Sequence, residues 1–407
     1  MKDLATPSEA SSSQEGQQNR RLKVTLLSSE WRSSTDREVS AISRELAIHL
    51  AKHPNVEVSV FLPKCSEEDK RNAASHKIQL VEAGELPGYE PLFSLSSLPR
   101  DHDVDCVIGH GVHLGKQIQL IKKNTDCGWI QVVHSVHEEV GMYKNISEGQ
   151  RLQQTEVKLC KMADEVVAIG PKVAEAYKRF LCSAKEEKTI LDLTPGVFSE
   201  FLNVAQATDE RRTFCVLVIG SGDSCEDFNV KGFNMAAEAI AELKDASYQL
   251  KFLYSPREKA EEIADKLLQH GISRNQLIVR SINDSRDVLA NLFCEVDLAI
   301  MPSRTEGFGL PGLEALSAGL PVLVSGNSGL GEALREVPLG SFCVIDSEDP
   351  KDWAREIKAV CQKSRTVRLR ESKLLRDCYQ ETYEWEKPCK ILVEKMQNLA
   401  LGKSFHL

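Results

Sequence analysis

The stretch 297–332, DLAIMPSRTEGFGLPGLEALSAGLPVLVSGNSGLGE, constrains this chain more than any other. An apolar strand at 297–301 runs into a glycine-rich loop, a helical run follows over 312–318, and Pro321 opens a second strand at 321–324. That order is a βαβ unit. Glycine lets a backbone turn tightly and approach another group with no Cβ in the way. A helix start offers unpaired N–H groups and the positive end of a dipole, which suits an anion such as phosphate. Glu306 lies on the loop and Glu314 about one turn into the helix. Ionised carboxylates only accept hydrogen bonds, so sugar hydroxyls are natural partners for both. Two glutamates on a turn would ordinarily be solvated. Flanking a loop of phosphate-gripping amides, they describe a site for a nucleotide sugar.

The same alternation fills the rest of the chain. Apolar strands are expected at 21–27, 56–62, 78–81, 105–109, 129–133 and 165–169, with helices between them. In the 38–53 helix Ile42, Leu46 and Leu50 recur at four-residue steps, one apolar face. Pro195 and Gly196 close this series, and a polar stretch at 203–212 leads onward. A second series starts at 214–220 and continues with strands at 250–254, 277–279, 297–301, 321–324 and 342–345. Short apolar strands alternating with helices predict an α/β chain of two doubly wound parallel sheets, which bind ligands beyond the carboxyl ends of their strands. The expected division is a polar tail over 1–20, a first domain over 21–197, a linker over 198–212, a second domain over 213–367 and closing helices over 368–407.

Composition narrows the function. A length of 407 residues suits two domains. A net charge of −9 argues against nucleic acid as a partner. The 12 cysteines form no C-x-x-C pair, so neither a zinc site nor a redox motif emerges, and thiols in this number suit the reducing cytoplasm. No apolar run reaches the ~18 residues of a transmembrane segment. Asp103-Val104-Asp105 has the form of a metal–diphosphate motif, but it precedes a buried strand far from the glycine loop and reads as structural.

The run E-G-F-G-L-P-G-L-E-A-L-S-A-G-L-P-V, with its Pro302-Ser303-Arg304 lead-in, resembles the E-x7-E signature of retaining glycosyltransferases of the GT-B fold, especially glycosyltransferase family 4. The resemblance implies two Rossmann-like domains facing across a cleft, with a C-terminal helix crossing back to the first. It puts Glu306 beside the transferred hexose and Glu314 at the ribose. Gly307, Phe308, Gly309, Leu310 and Arg304 would surround the donor. Val230-Lys231-Gly232-Phe233 resembles the family's K-G motif, so Lys231 would neutralise the diphosphate as a point charge. His134, ending the strand at 129–133, matches the family's strand-end histidine near the transferred sugar. Glu306, His134 and Lys231 are thus the expected catalytic set. A nucleoside-diphosphate sugar is the substrate, and neither a metal nor a cofactor is implied. The acceptor is unidentified.

Two departures bear on activity. The family usually carries an arginine five or six residues before the lysine, where this chain has Cys225 and Glu226. Arg304 and Arg280 are the candidates to replace it. The first loop, 28–35, has serines, Trp31 and Arg32 where the family has a Gly-Gly turn. Arg32 could bind an anionic acceptor. His110 and His113 end another strand and either shape an acceptor cleft or pack; His137 is a weaker candidate. Three readings follow: an active transferase, a degenerate GT-B protein that binds a nucleotide sugar as sensor or scaffold, and another GT-B activity such as sugar-nucleotide epimerisation or polymer synthesis.

Overall fold

A computed structural model describes residues 20–32, 37–84, 86–182, 188–221, 225–255, 260–281 and 286–404. The expected tail at 1–19, residues 33–36 of the first loop and residues 222–224 lie outside them, as do the side chains of Cys225 and Glu226.

The first sheet has seven strands: β1 (Leu22–Leu27), β2 (Val56–Leu62), β3 (Ile78–Glu82), β4 (Cys106–His110), β5 (Gly128–Val133), β6 (Glu165–Ile169) and β7 (Ile190–Leu193). They are parallel, in the order β3-β2-β1-β4-β5-β6-β7. The second has β8 (Phe214–Ser221), β9 (Tyr248–Ser255), β10 (Leu277–Ser281), β11 (Leu298–Met301), β12 (Val322–Ser325) and β13 (Val344–Ile345), parallel in the order β10-β9-β8-β11-β12-β13. The central strands β4, β5, β11 and β12 are buried along their whole length, as expected of strands covered by helices on both faces. Strand order reverses between β1 and β4 in one sheet and between β8 and β11 in the other, and such switch points are where doubly wound sheets open a crevice.

The two lobes share a continuous apolar core. It runs from Ile108 and Ile130 of the first sheet through Phe198, Phe201 and Phe293 to Tyr379, Trp385 and Met396 of the closing helices. Trp385 donates to the Gly196 carbonyl at 3.0 Å and Tyr379 to the Pro195 carbonyl at 2.8 Å. Helix Glu386–Ser404 packs on β1, β5, β7 and helix Arg37–Ala51, so the end of the chain lies on the first lobe.

Several elements differ from the sequence reading. β7 is absent from the expected strands; four residues at a sheet edge give too little period to be seen. Helix His137–Tyr143 holds Gly141, which lowers helix propensity, but a Cβ there would meet the Gly149 Cα of the next helix at 2.8 Å. The close crossing of two helices, which no local pattern reports, makes the glycine necessary. Helix Cys225–Val230 was likewise not anticipated, and the expected strand at 342–345 is a 3-10 turn, Gly340–Cys343, with only Val344–Ile345 in the sheet.

Candidate active site

The ends of β8 and β11 bring the two chemical motifs together. The chain leaves β8 through helix Cys225–Val230 and reaches Lys231 and Gly232. Gly232 has φ of +67°, and a Cβ there would stand 1.9 Å from the Pro302 carbonyl oxygen. Only glycine lets this segment lie against the loop that follows β11. Lys231 Nζ then sits 2.9 and 2.8 Å from the two carboxylate oxygens of Glu306. Ser303 Oγ donates to Glu306 at 3.1 Å, and Glu38 of the first lobe lies 3.9 Å from Lys231. Burial opposes the charged ammonium of Lys231, but Glu306 and Glu38 outweigh it and raise its pKa above the ordinary lysine value.

Glu314 lies in the second turn of helix Leu310–Ser317 and faces the same cleft. It is paired with Arg286, which also meets Glu200 at 2.7 Å and lies over the rings of Phe198 and Phe201 at 5.4 and 5.2 Å. Burial works against this guanidinium too, and Glu314 and Glu200 more than offset it, raising its pKa. The space between these walls is small, about 40 Å³. That admits a few waters. A nucleotide sugar needs the cleft to widen.

The glycine loop faces the first lobe. A Cβ on Gly307 would stand 1.9 Å from the His134 carbonyl oxygen. The Phe308 ring is buried against Gly170, where a Cβ would meet it at 2.5 Å. Gly309 has φ of +104°, a conformation that turns the chain into the helix. Lys172, also of the first lobe, clamps the loop. Its Nζ lies 2.9 Å from Thr305 Oγ1, 3.2 Å from the Glu306 carbonyl, 3.1 Å from the Asn327 carbonyl and 2.8 Å from Glu139. Among the described residues the amides of Gly307, Phe308, Gly309 and Leu310 donate to no protein group. They stand at a helix start, the geometry that receives an anion.

Behind the loop lies a neutral cluster. His110 Nδ1 and His134 Nε2 are 2.9 Å apart. Burial, followed by the neighbouring His137, pushes the His134 imidazole down to about 3, and burial and His134 push His110 well below the ordinary histidine range. Both rings are therefore uncharged at neutral pH, and one donates to the other. His137 Nε2 lies 2.8 Å from Glu156, off the angle of a hydrogen bond, and Tyr177 donates to the same carboxylate.

Of the residues expected at the site, Lys231, Glu306, Glu314 and Leu310 share one cleft wall. Gly307, Phe308 and Gly309 do not line it with side-chain atoms; close approach to the first lobe and to Met301 is what requires the two glycines. His134 stands behind the cleft, paired with His110. Arg304 is turned away, held by Asn234 Oδ1 at 3.1 Å, Glu348 at 3.2 Å and the Asn229 carbonyl. Arg280 is exposed and pairs with Glu295 at 2.9 Å. Neither replaces the family's missing arginine; besides Lys231, the cation that reaches an acid of the cleft is Arg286, through Glu314. Arg32 is taken up by Asp69 at 2.7 Å and Glu68 at 2.8 Å, and His113 is exposed to solvent. No local pattern points to Arg286, Lys172 or Glu38, since each meets its partners only across the folded cleft.

Comparisons with known proteins agree with this geometry. Sucrose-phosphate synthase from Thermosynechococcus elongatus superposes with a TM-score of 0.69 at 18% identity, over 94% of this chain and 100% of that one. HepE of Anabaena, in complex with UDP and glucose, gives 0.68 at 14% identity over 93% and 100%. The fold is GT-B. Among curated relatives, a D-inositol 3-phosphate glycosyltransferase of Paenarthrobacter aurescens is 30% identical over 115 residues, 28% of this chain and 27% of that protein. The enzyme of the same description from Corynebacterium urealyticum is 31% identical over 141 residues, 34% of this chain and 31% of that protein. The chain thus matches about a quarter to a third of the length of these relatives. A family model described as Family 4 Glycosyltransferase in conflict systems matches residues 25–392, and the chain belongs to that family.

Proposed function

We propose that this protein transfers a hexosyl group from a nucleoside-diphosphate sugar to an acceptor hydroxyl with retention of configuration. One observation carries the reading. Lys231 and Glu306, 75 residues apart in sequence, meet in a cleft whose wall also holds Glu314. When the glycosidic bond breaks, negative charge builds on the leaving diphosphate, and prearranged donors and cations there lower the barrier. Lys231 supplies the cation, and the amides of 307–310 supply donors at a helix start. Glu306 and Glu314 accept from hydroxyls of hexose and ribose. The His134 ring, uncharged and held by His110 through Nε2, packs behind this wall of the cleft. The eleven described cysteines are all free thiols, which suits the cytoplasm.

A second reading, binding without turnover, rests on the scarcity of cations to stabilise the leaving diphosphate as its charge builds. Glu38, Glu306 and Glu314 line the cleft against Lys231 alone, and a diphosphate adds more negative charge. One experiment separates the two. The full chain is given UDP-, GDP- and ADP-hexoses, with donor binding followed by calorimetry and nucleotide release by a coupled assay. Turnover that falls about 100–1000-fold in Glu306→Gln and in Lys231→Met, with the melting temperature retained, supports transfer. Binding without release across an acceptor panel supports the second reading. Turnover unchanged in both variants refutes the assignment of these residues.

A further inference from the structure

We infer that Lys172 and Glu139 of the first lobe, joined through the Thr305 hydroxyl, are positioning residues for Glu306 and so set how well the cleft takes the hexose of its donor, a role that rests on the nucleotide-sugar reading of that cleft. Lys172 is the second residue of helix Pro171–Leu181. A cation there faces the positive end of the helix dipole. It is also only 8% exposed, and a buried ammonium needs close partners to stay charged. Both features run against local preference, and such conflicts gather at functional positions. What offsets them lies in the other lobe, around Glu306.

Glu306 is held from two sides. Lys231 and Ser303, both of the second lobe, hold its carboxylate. Its main chain is held from the first lobe. The Glu306 N–H donates to the Asn327 carbonyl at 3.1 Å. Lys172 Nζ donates to that same carbonyl at 3.1 Å and to the Glu306 carbonyl at 3.2 Å. An ammonium has three donors, and the third goes to Thr305 Oγ1 at 2.9 Å. Thr305 donates in turn to Glu139 at 2.8 Å, and Glu139 lies 2.8 Å from Lys172, which closes a ring of three polar groups. Thr305 is 3% exposed, so water does not stand in for either bond. The lysine ammonium is a point charge on a flexible stem, so the bond to Thr305 and the pull of Glu139 are what aim it at the two carbonyls. A shift of the 305–306 peptide carries the Glu306 side chain with it, away from a hexose hydroxyl. Glu314 stands on the next helix with its own partner, Arg286, so the nucleoside end of a donor would not feel that shift.

The test is titration calorimetry of the full chain with UDP-glucose, GDP-mannose and ADP-glucose, each beside its bare nucleoside diphosphate, with small-angle scattering on the same samples. Thr305→Val keeps the shape of the side chain and removes its hydroxyl. It should lower affinity for the sugar nucleotide about tenfold relative to the bare diphosphate, the worth of one hydrogen bond to a charged group. Affinity for the diphosphate and the radius of gyration should stay as in the parent. Thr305→Ser should restore the parent ratio, and Lys172→Met should shift it further in the same direction. In a Glu306→Gln background Thr305→Val should cost nothing more, because the ring acts through that carboxylate. A ratio unchanged in Thr305→Val or Lys172→Met, no recovery in Thr305→Ser, or a further loss in the Glu306→Gln background would overturn the role. So would equal weakening of sugar nucleotide and diphosphate with the lobes apart, which would make the ring a tie between lobes. A parent chain that takes none of the three sugar nucleotides would instead sink the nucleotide-sugar reading, and this role with it.

Discussion

Strand β11 has a carboxylate gripped by cations at each end, and the two arrangements serve opposite purposes. Asp297, just before the strand, is 1% exposed at its side chain, and so is its partner Arg365. Asp297 also accepts from the Cys215 N–H at 2.9 Å, while Arg365 donates to the Ala207 and Val296 carbonyls. Arg368 and Arg211 stand 3.6 and 3.7 Å from the same acid. Water is excluded, and the cluster staples the linker and the 365–382 helix to the sheet. Glu306, just after the strand, pairs with a lysine whose side chain is 27% exposed, and the pair fronts a cleft. Identical charges thus make a buried staple within the core and a site where one side is left open. Residue type and ion pairing do not distinguish them. Access to a cavity does.

The largest effect should come from the staple. Asp297→Ala leaves Arg365 buried without its carboxylate and is expected to cost about 3–5 kcal/mol in chemical denaturation. Glu306→Gln should cost about 1 kcal/mol by the same measurement, because Lys231 keeps Glu38 and solvent. Equal losses in the two variants would break the comparison.

An intermediate effect tests whether the cleft depends on the docking of its loop. Gly307→Ala drives a methyl into the His134 carbonyl and is expected to cost about 1–3 kcal/mol in thermal unfolding. Scattering should show the lobes further apart than in the parent protein. A variant with unchanged stability and dimensions would mean that the loop is not held there in solution.

An effect absent at neutral pH concerns the uncharged histidines of the first lobe. His134 and His110 have depressed pKa values when folded, His134 at about 3, against about 6.5 unfolded. Above pH ~6.5 both states are neutral and these groups add no pH dependence. Below it the unfolded chain takes up protons that the folded one does not, so stability falls as pH drops from ~6.5 toward 3. Each ring contributes up to about 1.4 kcal/mol per pH unit. His110→Gln should remove one ring's share of that slope, read from melting temperatures between pH 7 and 5. An unchanged slope would show that His110 titrates normally.

Much of this molecule was legible before any coordinates. The alternation of short apolar strands with helices gave two parallel sheets, because burial on both faces leaves an uninterrupted apolar run that local reading detects. The βαβ unit at 297–332 placed Glu306 at a strand's carboxyl end and Glu314 on the following helix, and the structure has both on the cleft wall. Short edge elements were missed, as at β7. Gly307, expected beside the donor, admits the backbone of the first lobe, and Gly141, which no local pattern singles out, admits a neighbouring helix. Arg304 is expected at the donor because of its place beside the motif, but its guanidinium is drawn to Asn229, Asn234 and Glu348 and leaves the cleft.

What the sequence determined by itself is the order of elements and the residue types at their ends, since period, turn chemistry and propensity act over a few neighbouring residues. Which charge meets which is settled by folding in three dimensions. Lys172 lies 133 residues from Thr305, and Arg286 lies 28 from Glu314. Coulomb attraction and hydrogen bonding depend on separation in space over a few ångströms, and separation along the chain does not encode that distance.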